Sequence, residues 1–156
     1  MDLYLLLRTL HIVSATVLFG TGLGIAFFFF AAHRAPDAAA RLFAARATVR
    51  ADFLFTLPAV VLQPLTGIGL ILLAGHDWTN FWLVASYALY LIVGLCWVPV
   101  VFIQITLRDL AARRAAGEAI DEARYDRLYR WWFALGWPAF IGLVAVFYLM
   151  VFKPGW

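Results

Sequence analysis

Four stretches of the chain are continuously apolar, and polar or charged residues separate them. They run from about Leu3 to Ala32, Phe53 to Ala74, Phe81 to Thr106 and Trp131 to Phe152. Each is about 20 residues or longer, the length a helix needs to cross the hydrocarbon core of a bilayer. None alternates at period two, which argues against a membrane β-barrel. In lipid a segment must satisfy its own backbone N–H and C=O groups, so such runs become helices. The pattern predicts an all-α integral membrane protein. It would be a single transmembrane domain over residues 1–156, a four-helix up-down bundle with helices at about 3–32, 38–74, 80–116 and 121–152.

The separating segments orient this bundle. The first holds Arg34, Arg41, Arg46 and Arg50, and the third holds Arg108, Arg113, Arg114, Arg124, Arg127 and Arg130. The second, from Gly75 to Asn80, has no lysine or arginine and is short enough to make its two helices antiparallel neighbours. The positive-inside rule places the first and third connections in the cytoplasm of a bacterium. The chain is then a multi-pass protein of the inner membrane with its N- and C-termini on the non-cytoplasmic side. Arg8 and Lys153 oppose this weakly. The first run is too long for a cleaved signal and is not preceded by basic residues, so it reads as an uncleaved signal anchor.

Local signals refine the ends. Pro36 opens a helix with Asp37 in its first turn, where a negative charge suits the dipole. The third helix is expected to run to about Ala116 and turn at Gly117, with a new helix from near Asp121. There Asp121, Glu122 and Asp126 alternate with Arg124, Arg127 and Arg130, giving exposed ion pairs at helical spacing. Trp78, Trp82, Trp131, Trp132 and Trp156 mark headgroup depth. Pro58, Pro99 and Pro138 fall at one depth in helices two, three and four. Three kinks there would splay the bundle into a cavity; tolerated bends are the plainer reading.

Composition agrees with the pattern. Of 156 residues, 65% are hydrophobic and 13% charged, too little polar surface for a soluble chain of this size. The net charge of +3 sits between apolar runs, so lipid headgroups, not nucleic acid, are the anionic neighbour. The lone Cys96 forms no intramolecular disulfide and reads as a buried thiol.

An ionisable residue inside a membrane run marks a candidate functional site, and His11 is such a residue. At 100° per residue it shares one stripe of the first helix with Tyr4, Arg8, Ala15, Leu18 and Gly22. In lipid a stripe with polar members faces the bundle interior. A neutral imidazole is a good ligand for haem iron, and Arg8 is placed to pair with a haem propionate. The plainer alternative hydrogen-bonds His11 to a neighbouring helix, through Tyr87 or Gln63. His33 lies about 33 Å further along the same helix and reads as a solvated helix-end residue; His76 reads as a loop residue. Asp52 is set to pair with Arg50 or Arg108, and Gln63 and Gln104 to hydrogen-bond between helices. Gly20 and Gly24 give a small-residue face for a second helix, a flat cofactor or a homodimer. Motifs of hydrolases, nucleotide binders and zinc enzymes are absent.

Leu10-His11-Ile12-Val13, Phe19-Gly20, Leu62-Gln63-Pro64-Leu65-Thr66-Gly67 and Phe152-Lys153-Pro154 resemble the HemJ-type protoporphyrinogen oxidases and CopD-like proteins. Over nearly the whole chain, Tyr4-Leu5-Leu6-Leu7, Phe19 to Gly24 and Trp132 to Pro138 are similar to a bacterial integral-membrane family of unknown function in that superfamily. The resemblance implies a four-helix bundle and haem b on His11. One departure stands out: where HemJ-type chains carry a lysine after a Trp-Leu pair, Trp82-Leu83 is followed by Val84-Ala85-Ser86. That leaves the second axial ligand unnamed and weighs against porphyrinogen oxidation.

The functional expectation is a b-type haem-binding inner-membrane protein with His11 and Arg8 at the cofactor, acting in electron transfer with a quinone or other redox partner. The alternatives are a scaffold or assembly protein without cofactor, dimerising through Gly20 and Gly24, and a transporter of a metal or small solute. With Met1, Met150 and Cys96 as the only sulfur ligands, cuprous transport is poorly served.

Overall fold

In the computed structural model, which describes residues 2–155, four helices follow one another: α1 (Leu3–His33), α2 (Ala38–Ala74), α3 (Phe81–Ala115) and α4 (Glu122–Phe152). All four are long and apolar enough to span a bilayer. No strand occurs among the described residues. Met1 and Trp156 lie outside them, so the interface role read for Trp156 is not addressed.

Local chemistry sets the ends. Asp37 is not inside the first turn of α2 but one residue before it. Its extended backbone lets the carboxylate accept from the Ala39 and Ala40 amides at 3.0 and 3.3 Å, groups that otherwise have no partner. Gly75 stops α2 at φ +65° and Gly117 turns the chain after α3 at φ +81°, left-handed positions that suit glycine. Asp121 caps α4 on the Arg124 amide. Glu122 reaches back to Arg114, and Arg113 holds Glu118. The ion pairs therefore bridge the connection instead of running along α4, because capping turns Asp121 inward and Glu122 faces the end of α3.

One irregularity interrupts α2. Asp52–Thr56 forms a π-helical segment in which the Leu57 amide donates to the Asp52 carbonyl. Pro58 follows directly. A proline ring clashes with the carbonyl four residues earlier in an α-helix, and a widened turn relieves it.

The helices pack as two pairs, α1 on α2 and α3 on α4. The first half of α2 also lies against α3, and α1 meets α4 chiefly through aromatic side chains, Phe19 standing edge-on to Phe140 and Phe147 at 5.5 and 5.4 Å. At the arginine-rich end Phe29, Ala45, Leu107, Ala111, Tyr125 and Trp132 form one buried cluster. At the end bearing the termini Ile71, Trp82, Leu83 and Leu149 form another. Trp132 and Trp82 are buried in these end clusters: Trp132 sits edge-on to Phe29 at 4.8 Å, and Trp82 lies beneath the Lys153 ammonium. Trp131 and Trp78 are exposed as expected. The outward surface is apolar, with Leu95 and Val151 each 76% exposed, which only a lipid surround accommodates.

Candidate functional site

The α1–α2 seam is built around His11. Its Nδ1 lies 2.8 Å from Thr66 Oγ1, and Thr66 Oγ1 lies 2.6 Å from the Leu62 carbonyl. A hydroxyl has one proton and two lone pairs. The proton goes to the Leu62 oxygen at the shorter distance, so the Thr66 oxygen accepts from His11 Nδ1–H. In a neutral ring Nε2 is then a bare lone pair. Gln63 Nε2 donates to the His11 carbonyl at 2.8 Å and to Ser14 Oγ at 2.6 Å, and Ser14 Oγ donates to the same carbonyl at 3.1 Å. The partner of the ring is therefore Thr66. Gln63 binds His11 through the backbone, and Tyr87 is exposed and tilted against Trp78. Gly67 lies directly against the ring: a Cβ there would stand 3.5 Å from His11 Cε1, in ordinary van der Waals contact. Arg8, one turn earlier, is exposed and makes no ion pair among the described residues.

The other histidines are elsewhere. His33 is not a solvated helix end. Its ring stacks on Tyr129 with centroids 3.6 Å apart and on Tyr125 at 5.9 Å, because the start of α4 folds over the end of α1. His76 meets Trp82 edge-on at 5.4 Å.

A second polar group is buried deeper. Between the two end clusters the helix pairs stand apart and leave a cavity of about 380 Å³. It lies at the depth of the three prolines: Thr56 and Val60 flank Pro58, Trp97 and Val100 flank Pro99, and Trp137 and Ala139 flank Pro138, and all six line it. Its walls are apolar except at one corner, where Asp52, Thr56, Trp97 and Gln104 meet. Asp52 is 2% exposed and Gln104 3%. Asp52 pairs with neither Arg50 nor Arg108. Arg108 is engaged with Asp109, and the π segment turns Asp52 inward, away from the surface where the arginines sit. Thr56, Trp97 and Gln104 are close enough for their dipoles to act on the carboxyl. Yet Asp52 Oδ2, Thr56 Oγ1, Trp97 Nε1 and Gln104 Oε1 all lack a hydrogen-bond partner in good geometry. The interhelical bond expected for Gln63 is present; Gln104 reaches across to the Asp52 carboxyl of α2, while its Oε1 has no partner. Sequence reasoning passed over Thr56, Thr66 and Trp97. The signal for Thr66 was its place three residues after Gln63, on the same face.

No curated protein and no solved structure matches the chain. The family described as predicted integral membrane protein DUF2269 matches residues 5–154. Four apolar helices long enough to span a bilayer accord with that description, and the chain belongs to the family.

Proposed function

We propose that the protein binds a b-type haem in the membrane, with His11 Nε2 as an axial ligand, and serves in electron transfer. The observation that carries this reading is the Thr66 hydroxyl beside Nδ1, which is also within hydrogen-bond distance of the Leu62 carbonyl and so favours a proton on Nδ1 and a lone pair on Nε2. Histidines that bind metals commonly donate the other ring N–H to a fixed acceptor in this way. The donor set suits a haem better than a bare ion. Among the described residues no three histidine, cysteine, aspartate or glutamate side chains gather, whereas a porphyrin supplies the equatorial nitrogens itself. When bound, the haem would supply one-electron chemistry. His11 would bind it, Thr66 and Gly67 would fix the plane of the imidazole, and the unpaired Arg8 would take a propionate carboxylate. We place the arginine-rich end in the cytoplasm of a bacterial inner membrane on the charge asymmetry of the connections.

The test is a visible spectrum of protein purified from haem-replete cells. A Soret band is expected in the wild type, lost in His11→Ala and weakened in Thr66→Val. A colourless wild type, or a band unchanged in His11→Ala, would overturn the reading.

A second reading, a scaffold that pairs with another copy of itself, is favoured by one observation. An added Cβ at Gly20 or Gly24 would meet nothing within 4 Å, so neither glycine is used to pack a helix of its own chain. Crosslinking in membranes tests it: Gly20→Leu and Gly24→Leu should abolish a dimer, and a dimer unaffected by both would exclude this face.

A further inference from the structure

The cavity between the helix pairs does not include His11 in its wall, so its role is separate from that of the imidazole. Its volume of about 380 Å³ falls within the range of small-molecule sites, which are mostly apolar with a few convergent polar groups. Three bare stretches of backbone face it, at Gly22, Gly94 and Gly136. A Cβ at Gly94 or Gly136 would meet nothing within 4 Å, and one at Gly22 only the edge of Phe140 at 3.7 Å. These glycines leave flat space that no side chain of the protein fills.

The polar corner selects the ligand by what it leaves unpaired. Trp97 Nε1–H is a donor only, Thr56 Oγ1 donates or accepts, and Gln104 Oε1 accepts. Asp52 Oδ2 accepts when ionised and donates when protonated. Buried polar atoms without partners are costly, and a ligand that satisfies them recovers that cost. An anionic lipid head is a poor match, because no lysine or arginine lines the cavity. An amine would engage Asp52 and Gln104 and strand the indole N–H. A ring oxygen that carries a hydroxyl in one oxidation state and a carbonyl in the other meets both kinds of atom, donating to Gln104 or Asp52 as the hydroxyl and accepting from Trp97 or Thr56 in either state.

We infer that this cavity is a binding site for a lipid-soluble quinone or quinol, its ring lying against the glycine walls and its oxygens meeting Asp52, Thr56, Trp97 and Gln104. Quinone carbonyls accept from Trp97 and Thr56, and quinol hydroxyls donate to Gln104 and Asp52, so both oxidation states have partners. The route in is the seam between α1 and α4, which meet chiefly through side chains and not through closely packed backbone. Leu23 and Trp137 line the cavity and remain more than half exposed on its lipid side. A ligand already dissolved in the bilayer enters there without crossing water.

The test uses the full chain in detergent micelles, titrated with decylubiquinone and followed by tryptophan fluorescence corrected for quinone absorption. Saturable quenching is expected in the wild type and in His11→Ala, which separates this site from any haem. Gly94→Leu projects into the empty space and should abolish saturation while leaving the melting temperature at or above wild type. If that variant fails to fold, Gly136→Val serves the same purpose. Gln104→Leu should weaken binding about tenfold, the effect of losing one buried hydrogen bond. Quenching that never saturates, or that is the same in the cavity-filling variants, would overturn the proposal and leave water as the occupant. Displacement by oleate or decylamine as readily as by a second quinone would overturn the ligand class.

Discussion

Replacing Thr66 by valine tests the seam that holds the imidazole. Valine keeps the branched shape of threonine and removes one oxygen, so packing against Gly67 and His11 is preserved. What is lost is the acceptor 2.8 Å from His11 Nδ1. The Leu62 carbonyl loses an extra donor at 2.6 Å, a smaller matter for an oxygen already within a helix. A neutral hydrogen bond contributes about 1 kcal/mol in soluble proteins; between membrane helices the mean is about 0.6 and the ceiling about 1.7 kcal/mol. His11 is half-buried and its Nδ1–H would face a methyl group, so the upper half of that range applies, about 1 to 1.5 kcal/mol. That is roughly a five- to tenfold fall in the folded-to-unfolded ratio. Reversible unfolding in mixed micelles, titrated with sodium dodecyl sulfate, measures it. Thr66→Ser restores the oxygen and should recover most of the loss. A double-mutant cycle with His11→Phe isolates the pair, with about 1 kcal/mol of coupling expected. If Thr66→Val unfolds with the wild type, or the cycle shows no coupling, the assigned tautomer and the reasoning from it are wrong.

Three further outcomes follow from the packing and the caps. A Cβ on Gly142 would stand 2.6 Å from Val93 Cγ2, an atom fixed on a branched side chain; Gly142→Ala should cost about 1–3 kcal/mol in the same unfolding titration, and Val93→Ala should relieve it. Asp37→Ala frees the Ala39 and Ala40 amides and should cost about 1 kcal/mol, seen as a lower melting temperature that Asp37→Ser largely restores. Asp77, in the α2–α3 connection, accepts from the amide and the hydroxyl of Thr79, which holds its carboxyl below the ordinary 3.8. Its contribution is therefore present above that value and fades as pH falls through the lower folded-state value, so Asp77→Ala should lower the neutral plateau of a melting-temperature profile slightly, leave its most acid end unchanged and so flatten the acid limb.

The crossings were legible because lipid makes the rule simple: about 20 apolar residues become a helix whatever their order. Helix ends were nearly as clear, since Gly75, Gly117 and Asp121 act through local geometry. The connection Gly75 to Asn80 forced a neighbour relation that the shared cluster of Ile71, Trp82 and Leu149 displays. The neighbours of polar residues were not legible. Asp52 was assigned to arginines close in sequence, because nothing in a one-dimensional pattern announces that a π segment will rotate it inward. His11 was placed facing the interior, but its acceptor Thr66 lies 55 positions away. The headgroup preference of tryptophan gave no sign that the rings of Trp82 and Trp132 would complete buried clusters at the two ends of the bundle. The three prolines at one depth did mark the cavity, since each weakens close packing at the same level of the bundle.

The extra residue in the Asp52–Thr56 turn acts as a key that sets the phase of everything after it. Winding the same residues as regular α-helix, with no widened turn, would rotate the remainder of α2 by about 100° relative to its first half. Gln63 and Thr66 would swing away from His11, and Asp52 would lose its aim at Gln104. One backbone irregularity thus aligns both polar centres at once, and neither can be re-aimed by evolution or design without disturbing the other.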